Sequence, residues 1–176
     1  MATTDNCIPY DIRFVEELSP YLNLSKAKQK ALKDFVELGL VQRDRLVETA
    51  IAAVSGHKTV SIQGQDFADG SDAKSVVSSA RKSDIARGQW INSYKIHRVY
   101  TKTGPLRIVA YNQQRDLFHY FFIPLDAYAH LRYSVDILIE RHTSFNEPPM
   151  FTGNINVYCK WWDYQCNSFE EMCLKT

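Results

Sequence analysis

Lys58 to Ser79 reads KTVSIQGQDFADGSDAKSVVSS, and the rest of the chain is organised around it. Val60 and Ile62 alternate with polar residues, which is the period of a strand. A turn-rich acidic segment follows, holding Asp66, Asp69 and Asp72. Lys74 comes two positions after the last aspartate, and Ser75 to Ser79 is β-like again. Three carboxylates and a lysine thus fall within nine positions, at the junction of two predicted strands.

Strand alternation puts Asp72 and Lys74 on one side and Ala73 on the other. Asp66 or Asp69, ending the preceding strand or lying in the turn, reaches the same side as Asp72. Two carboxylates and a backbone carbonyl, that of Ala73, make a hard oxygen site suited to Mg²⁺. Such an ion lowers the pKa of a bound water and stabilises charge developing on a phosphate. The Lys74 ammonium orients that water or neutralises the phosphate. The pattern therefore suits phosphodiester cleavage. Two plainer readings use the same residues. One is an Asp- and Gly-rich hairpin turn with a solvated Asp-x-Lys pair. The other is a Ca²⁺ loop, although the register and terminal Glu of an EF-hand are missing.

The segment resembles the PD-(D/E)xK motif of the nuclease superfamily that includes most type II restriction endonucleases. Asp72-Ala73-Lys74 matches its second half. The first acid is matched by Asp66 or Asp69. Asp66 is preferred, because GQDFAD resembles the glycine-polar-aspartate turn before the metal strand in small homodimeric restriction enzymes. The spacing departs from the usual pattern: Asp72 lies six residues from Asp66 and three from Asp69, and no proline precedes either aspartate. The resemblance implies an α+β, restriction-endonuclease-like fold, a mixed central sheet flanked by helices. It implies Asp66, Asp72 and Lys74 as catalytic residues, with Asp66 or Asp69, Asp72 and the Ala73 carbonyl holding Mg²⁺. It also implies a homodimer whose subunits each cut one strand of double-stranded DNA, leaving 5′-phosphate and 3′-hydroxyl ends.

At 176 residues the chain is expected to form one domain, residues 1–176, with a sizeable core. Hydrophobic content of 45% and charged content of 23% are those of a soluble globular protein. No apolar run approaches the roughly 18 residues of a membrane span. The first residues lack the basic and apolar regions of a signal peptide. Cys7, Cys159, Cys166 and Cys173 form no Cys-x-x-Cys pair, so they read as reduced thiols in a cytoplasmic protein.

Net charge is only +1, but its distribution is uneven. From Lys74 to Arg107 there are eight basic residues against one acid, Asp84. That local balance of +7 leaves −6 on the remainder of the chain. A basic segment following an acidic metal motif points to a polyanionic substrate. The alternative is a solvated polar loop. Within the segment, Arg81, Lys82, Arg87, Gln89, Asn92, Lys95, Arg98 and Lys102 are the expected DNA contacts. Arg pairs with guanine, Asn and Gln pair with adenine, and the basic side chains also grip phosphates. Trp90 reads as core or interface rather than a stacking platform.

Along the chain, Tyr10 to Leu22 carries Ile12, Phe14, Val15 and Leu18 at helical spacing and ends near Pro20. Ser25 to Leu38 predicts an amphipathic helix with Ala27, Ala31, Leu32, Phe35, Val36 and Leu38 on one side and Gly39 as its stop. Gln42 to Val54 predicts a third. Residues 1–56 are thus helical, and the resemblance makes them the dimerisation region; residues 57–176 hold the catalytic sheet and the recognition region. Glu48, on the helix before the motif, is a minor candidate for the site. Strands are expected at Tyr94 to Val99, Leu106 to Tyr111 and Leu117 to Ile123, as an antiparallel meander extending the motif's sheet. A short helix is expected from Pro124, a strand from Asn154 to Trp162, and a terminal helix capped by Ser168. His97 and His119 are weak general-base candidates, with no partner nearby in sequence.

The expected activity is that of a Mg²⁺-dependent, site-specific DNA endonuclease. Two alternatives remain open: a homing, repair or junction-resolving nuclease of the same superfamily, and a non-catalytic nucleic-acid-binding module. An enzyme of small phosphates is disfavoured, since G-x-x-x-x-G-K is absent.

Overall fold

A computed structural model describes residues 10–62, 65–78, 104–128 and 161–176. The eight expected DNA contacts, Trp90, His97, Cys7, Cys159 and the strand expected at Tyr94 to Val99 lie outside the described residues.

Three helices open the described chain: α1 (Tyr10–Leu18), α2 (Lys26–Glu37) and α3 (Arg43–Ser55). α1 buries Ile12, Phe14, Val15 and Leu18. It ends at Leu18, near Pro20 as expected, since the proline ring cannot continue a helix. The Ser25 side chain caps α2 by accepting from Lys28 N–H at 3.4 Å. α2 departs from its expected orientation. Val36 is buried and Leu32 packs against the core, but Ala27, Ala31, Phe35 and Leu38 are exposed. Its apolar residues form two stripes, and α1 covers only one.

β1 (Thr59–Ile62) and β2 (Gln65–Phe67) form an antiparallel pair. A separate four-stranded sheet runs in the order β3 (Asp72–Ser78), β4 (Leu106–Asn112), β5 (Leu117–Ile123) and β6 (Gln165–Cys166). β3 and β4 are parallel, with Asp72 opposite Leu106 and Ser78 opposite Asn112. β4 thus borders β3, where the expected meander had the Tyr94 to Val99 strand, while the β4–β5 half of that meander is antiparallel as expected. The chain between Ser78 and Leu106 exceeds the dozen residues a parallel crossover needs. β5 is antiparallel to both β4 and β6. The expected strand ending at Trp162 gives way there to a 3₁₀ turn, Trp161–Tyr164. A second 3₁₀ turn, Leu125–Tyr128, occupies the short helix expected after Pro124.

The helix α4 (Phe169–Leu174) is capped by Ser168, whose hydroxyl accepts from Glu171 N–H at 3.0 Å. It packs with α1 and α3 on one face of the sheet. Ala73, Val109, Tyr111, Phe118, Tyr120 and Phe122 meet Phe14, Val47, Ile51, Phe169 and Met172 there. Each fully buried Phe or Ile contributes about 2 kcal/mol through removal from water. Leu106, Ile108, Ala110, Phe121 and Ile123, on the other face, are buried too. β4 is therefore buried at every position, which explains its nearly unbroken apolar run. The fold is mixed α+β, a mixed sheet with helices. Among the described residues no helix is long and apolar enough to cross a membrane. Cys166 and Cys173 are buried free thiols, and burial pushes the Cys173 thiol up to about 12.

Candidate functional site: an aspartate pair at the start of β3

The turn between β2 and β3 folds the acidic segment back on itself. Both Asp66 N–H and Phe67 N–H donate to the Ser71 carbonyl, at 3.0 and 3.2 Å. Gly70 takes φ +84°, a conformation open chiefly to glycine. Gly104 lies against this turn so closely that a Cβ would sit 2.5 Å from the Gly70 carbonyl carbon and the Ser71 nitrogen. Asp72 N–H donates to the Pro105 carbonyl at 3.1 Å. Gly104 and Pro105 thus seat the turn.

This folding brings Asp66 to Asp72. Asp66 Oδ2 accepts from Ala73 N–H at 2.8 Å. Burial, then a hydrogen bond to Asp72 and the charge of Asp72, pushes the Asp66 carboxyl up to about 7. Ala73 N–H and Lys74 oppose that rise. Lys74 projects to the same side as Asp72, as strand alternation requires. Its Nζ donates to Asp72 Oδ1 and to the Ala73 carbonyl, both at 2.9 Å. The Asp72 side chain is 6% exposed and that of Lys74 33%. Burial alone would lower the Lys74 pKa. The charges of Asp72 and Asp66, the Asp72 hydrogen bond and the charge of Asp44 outweigh it, and the net shift is upward. Lys74 therefore remains an ammonium at neutral pH.

Asp69 belongs to a different cluster. Its Oδ1 accepts from Ser71 N–H at 3.0 Å and from the Ser71 hydroxyl at 2.5 Å. Its Oδ2 lies 3.3 Å from His57 Nε2 and 3.7 Å from Arg107. Burial raises its pKa, but the Ser71 donors and the charges of His57 and Arg107 bring it below the usual carboxylate value. Of the two possible first acids, Asp66 is the one gathered with Asp72 and Lys74.

Arg107, counted above within the basic segment, is fully buried. It donates to Ser71 Oγ at 2.6 Å, to the Lys175 carbonyl at 2.9 Å and to the Met172 carbonyl at 3.4 Å. Its guanidinium lies 5.4 Å from the Phe122 ring centroid. It joins the motif turn to the last carbonyls of α4, where a cation is favoured. Its place inside the apolar run LRIVAYN was the available signal that it is not a surface charge.

Behind β3, Ser75 bonds to Arg43 Nε at 2.8 Å and donates to Asp44. Arg43 also reaches Asp11 at 3.2 Å. Nothing in the sequence ties these residues together. Glu48 pairs with Arg45 at 2.7 Å. His119 is buried on β5 with its Nδ1 3.3 Å from Gln165 Nε2.

Among the described residues no three His, Cys, Asp or Glu side chains gather at one point. The oxygen donors at the start of β3 are the Asp66 and Asp72 carboxylates and the Ala73 carbonyl. This hard-oxygen set fits a divalent cation such as Mg²⁺. Burial and the proximity of Asp72 together keep a proton on Asp66 up to about pH 7, and a cation bound there would have to displace it. No family model, no curated protein and no solved structure matches this chain.

Proposed function

We propose that the chain is a Mg²⁺-dependent endonuclease that hydrolyses phosphodiester bonds at a specific double-stranded DNA sequence. On this reading it is a restriction-endonuclease-like member of the PD-(D/E)xK superfamily and works as a homodimer. The supporting observation is the convergence of Asp66, Asp72 and Lys74, in which burial first and the neighbouring Asp72 second push the Asp66 carboxyl up to about 7. Asp66, Asp72 and the Ala73 carbonyl would hold the ion, which when bound supplies charge to polarise a phosphoryl oxygen. Lys74, held protonated by its acidic neighbours, donates to the phosphate or to the attacking water rather than accepting a proton. Asp69 stands outside this set and shapes the turn. The expected DNA contacts are Arg81, Lys82, Arg87, Gln89, Asn92, Lys95, Arg98 and Lys102.

The test is incubation of plasmid and phage DNA with the protein in Mg²⁺, Ca²⁺ or EDTA, beside Asp72→Ala and Lys74→Ala. Discrete fragments in Mg²⁺ alone, lost in both variants, are expected. Random nicking would favour a repair or junction-resolving enzyme. Binding without cleavage of any DNA would leave a nucleic-acid-binding module.

A further inference from the structure

α2 carries its charges in the order that an isolated helix tolerates worst. Lys26, Lys28 and Lys30 occupy its N-terminal half, Asp34 and Glu37 its C-terminal half, and no acid lies in the first turn or base in the last. The N-terminus of a helix bears partial positive charge and the C-terminus partial negative charge, so both groups sit at the unfavourable end. All five side chains are exposed and make no ion pair among the described residues. Lys33, by contrast, turns inward to Glu16 at 2.8 Å.

The same outward face is apolar. Ala27, Ala31 and Leu38 fall within a narrow sector at 100° per residue, with Phe35 on its edge. Leu38 is 71% exposed and Phe35 48%; Leu40, just beyond the helix, is 68% exposed. Small residues lie toward one end and bulky ones toward the other.

We propose that α2 pairs with α2 of a second copy of this chain, antiparallel, about a two-fold axis crossing the middle of the helix. Antiparallel pairing inverts both asymmetries. Lys30 meets Asp34 of the second copy, and Lys26 meets Glu37. Leu38 and Phe35 lie over Ala27 and Ala31. Each helix terminus gains the charge it lacks in the monomer. A stretch of 12 residues spans about 18 Å, so the contact is small and the dimer weak. The pairing does not rest on the nuclease reading: the self-complementary order of charges along one exposed face identifies a second copy as its occupant.

Sedimentation velocity over a range of concentrations at low and moderate salt tests it. The wild-type chain is expected to be a concentration-dependent dimer that weakens with salt. Lys30→Asp or Asp34→Lys alone should weaken it roughly tenfold, since each change counts twice across a two-fold axis. The double exchange of Lys30→Asp with Asp34→Lys should restore it, and Leu38→Glu should abolish it. All three positions are exposed, and unchanged circular dichroism and thermal unfolding would exclude misfolding. A chain monomeric at every concentration overturns the proposal. So does a dimer indifferent to Leu38→Glu, or one weakened by both single changes but not rescued by the exchange. A monomer would also remove the homodimer from the nuclease reading, but metal-dependent cleavage and Asp72→Ala report on its chemistry separately. A dimer formed through another face would overturn only the α2 pairing.

Discussion

Asp66 and Asp69 sit three residues apart in one turn, and the fold treats them in opposite ways. Asp66 is turned toward Asp72 and buried beside it, and its carboxyl rises to about 7. Asp69 is turned toward Ser71, His57 and Arg107, and its carboxyl falls. One cluster buries two carboxylates side by side with a lysine. The other closes a carboxylate with donors and cations already in the fold. The same residue type thus titrates in opposite directions within one short segment, according to whether it faces a second buried carboxylate or donors and cations.

Removing the cation of the structural cluster should have the largest effect on stability. Arg107→Met leaves Ser71, Asp69 and the carbonyls of Met172 and Lys175 without their donor. It should cost about 3 kcal/mol in urea unfolding. A variant as stable as wild type would mean that Arg107 does not tie the turn to α4.

The pH dependence of stability should separate the clusters next. A carboxyl whose folded pKa is raised stabilises the fold fully below its unfolded value. That contribution drains as pH rises through the folded value. For Asp66 the window runs from about pH 4 to about pH 7, and the loss is on the order of 3 kcal/mol. Asp69, with its folded pKa depressed, stabilises above pH 3.8, and its contribution is lost as pH falls through the folded value. In metal-free buffer, Asp66→Asn should flatten the fall between pH 4 and 7, while Asp69→Asn should remove part of the acid limb and leave that fall intact. Identical profiles for both variants would erase the contrast.

The smallest expected effect comes from the far end of the structural cluster. Ser168→Ala removes the cap of α4, whose carbonyls receive Arg107, and should cost about 1 kcal/mol by thermal or urea unfolding. If the loss is no larger in wild type than in Arg107→Met, helix cap and arginine act independently.

Much of the local structure was legible in the chain itself. Helical spacing placed α1 and α3, and Ser25 and Ser168 announced the caps they form, because capping is settled within four residues. β5 runs from Leu117 to Ile123 as its composition predicts. Strand alternation alone put Asp72 and Lys74 on one side, and they meet there at 2.9 Å. What spacing could not choose was the first acid, since Asp66 and Asp69 both lie within reach along the chain. That choice depended on Arg107 and His57, which draw Asp69 away from distant points in sequence.

The periodicities, the caps and the face shared by Asp72 and Lys74 followed from the sequence alone, because each depends on neighbours a few residues apart. The parallel pairing of β3 with β4, the burial of Arg107, the uncovered stripe on α2 and the parting of Asp66 from Asp69 were decided only in the tertiary structure. Each is a matter of which surface meets which partner, and residues remote in the chain supply that partner.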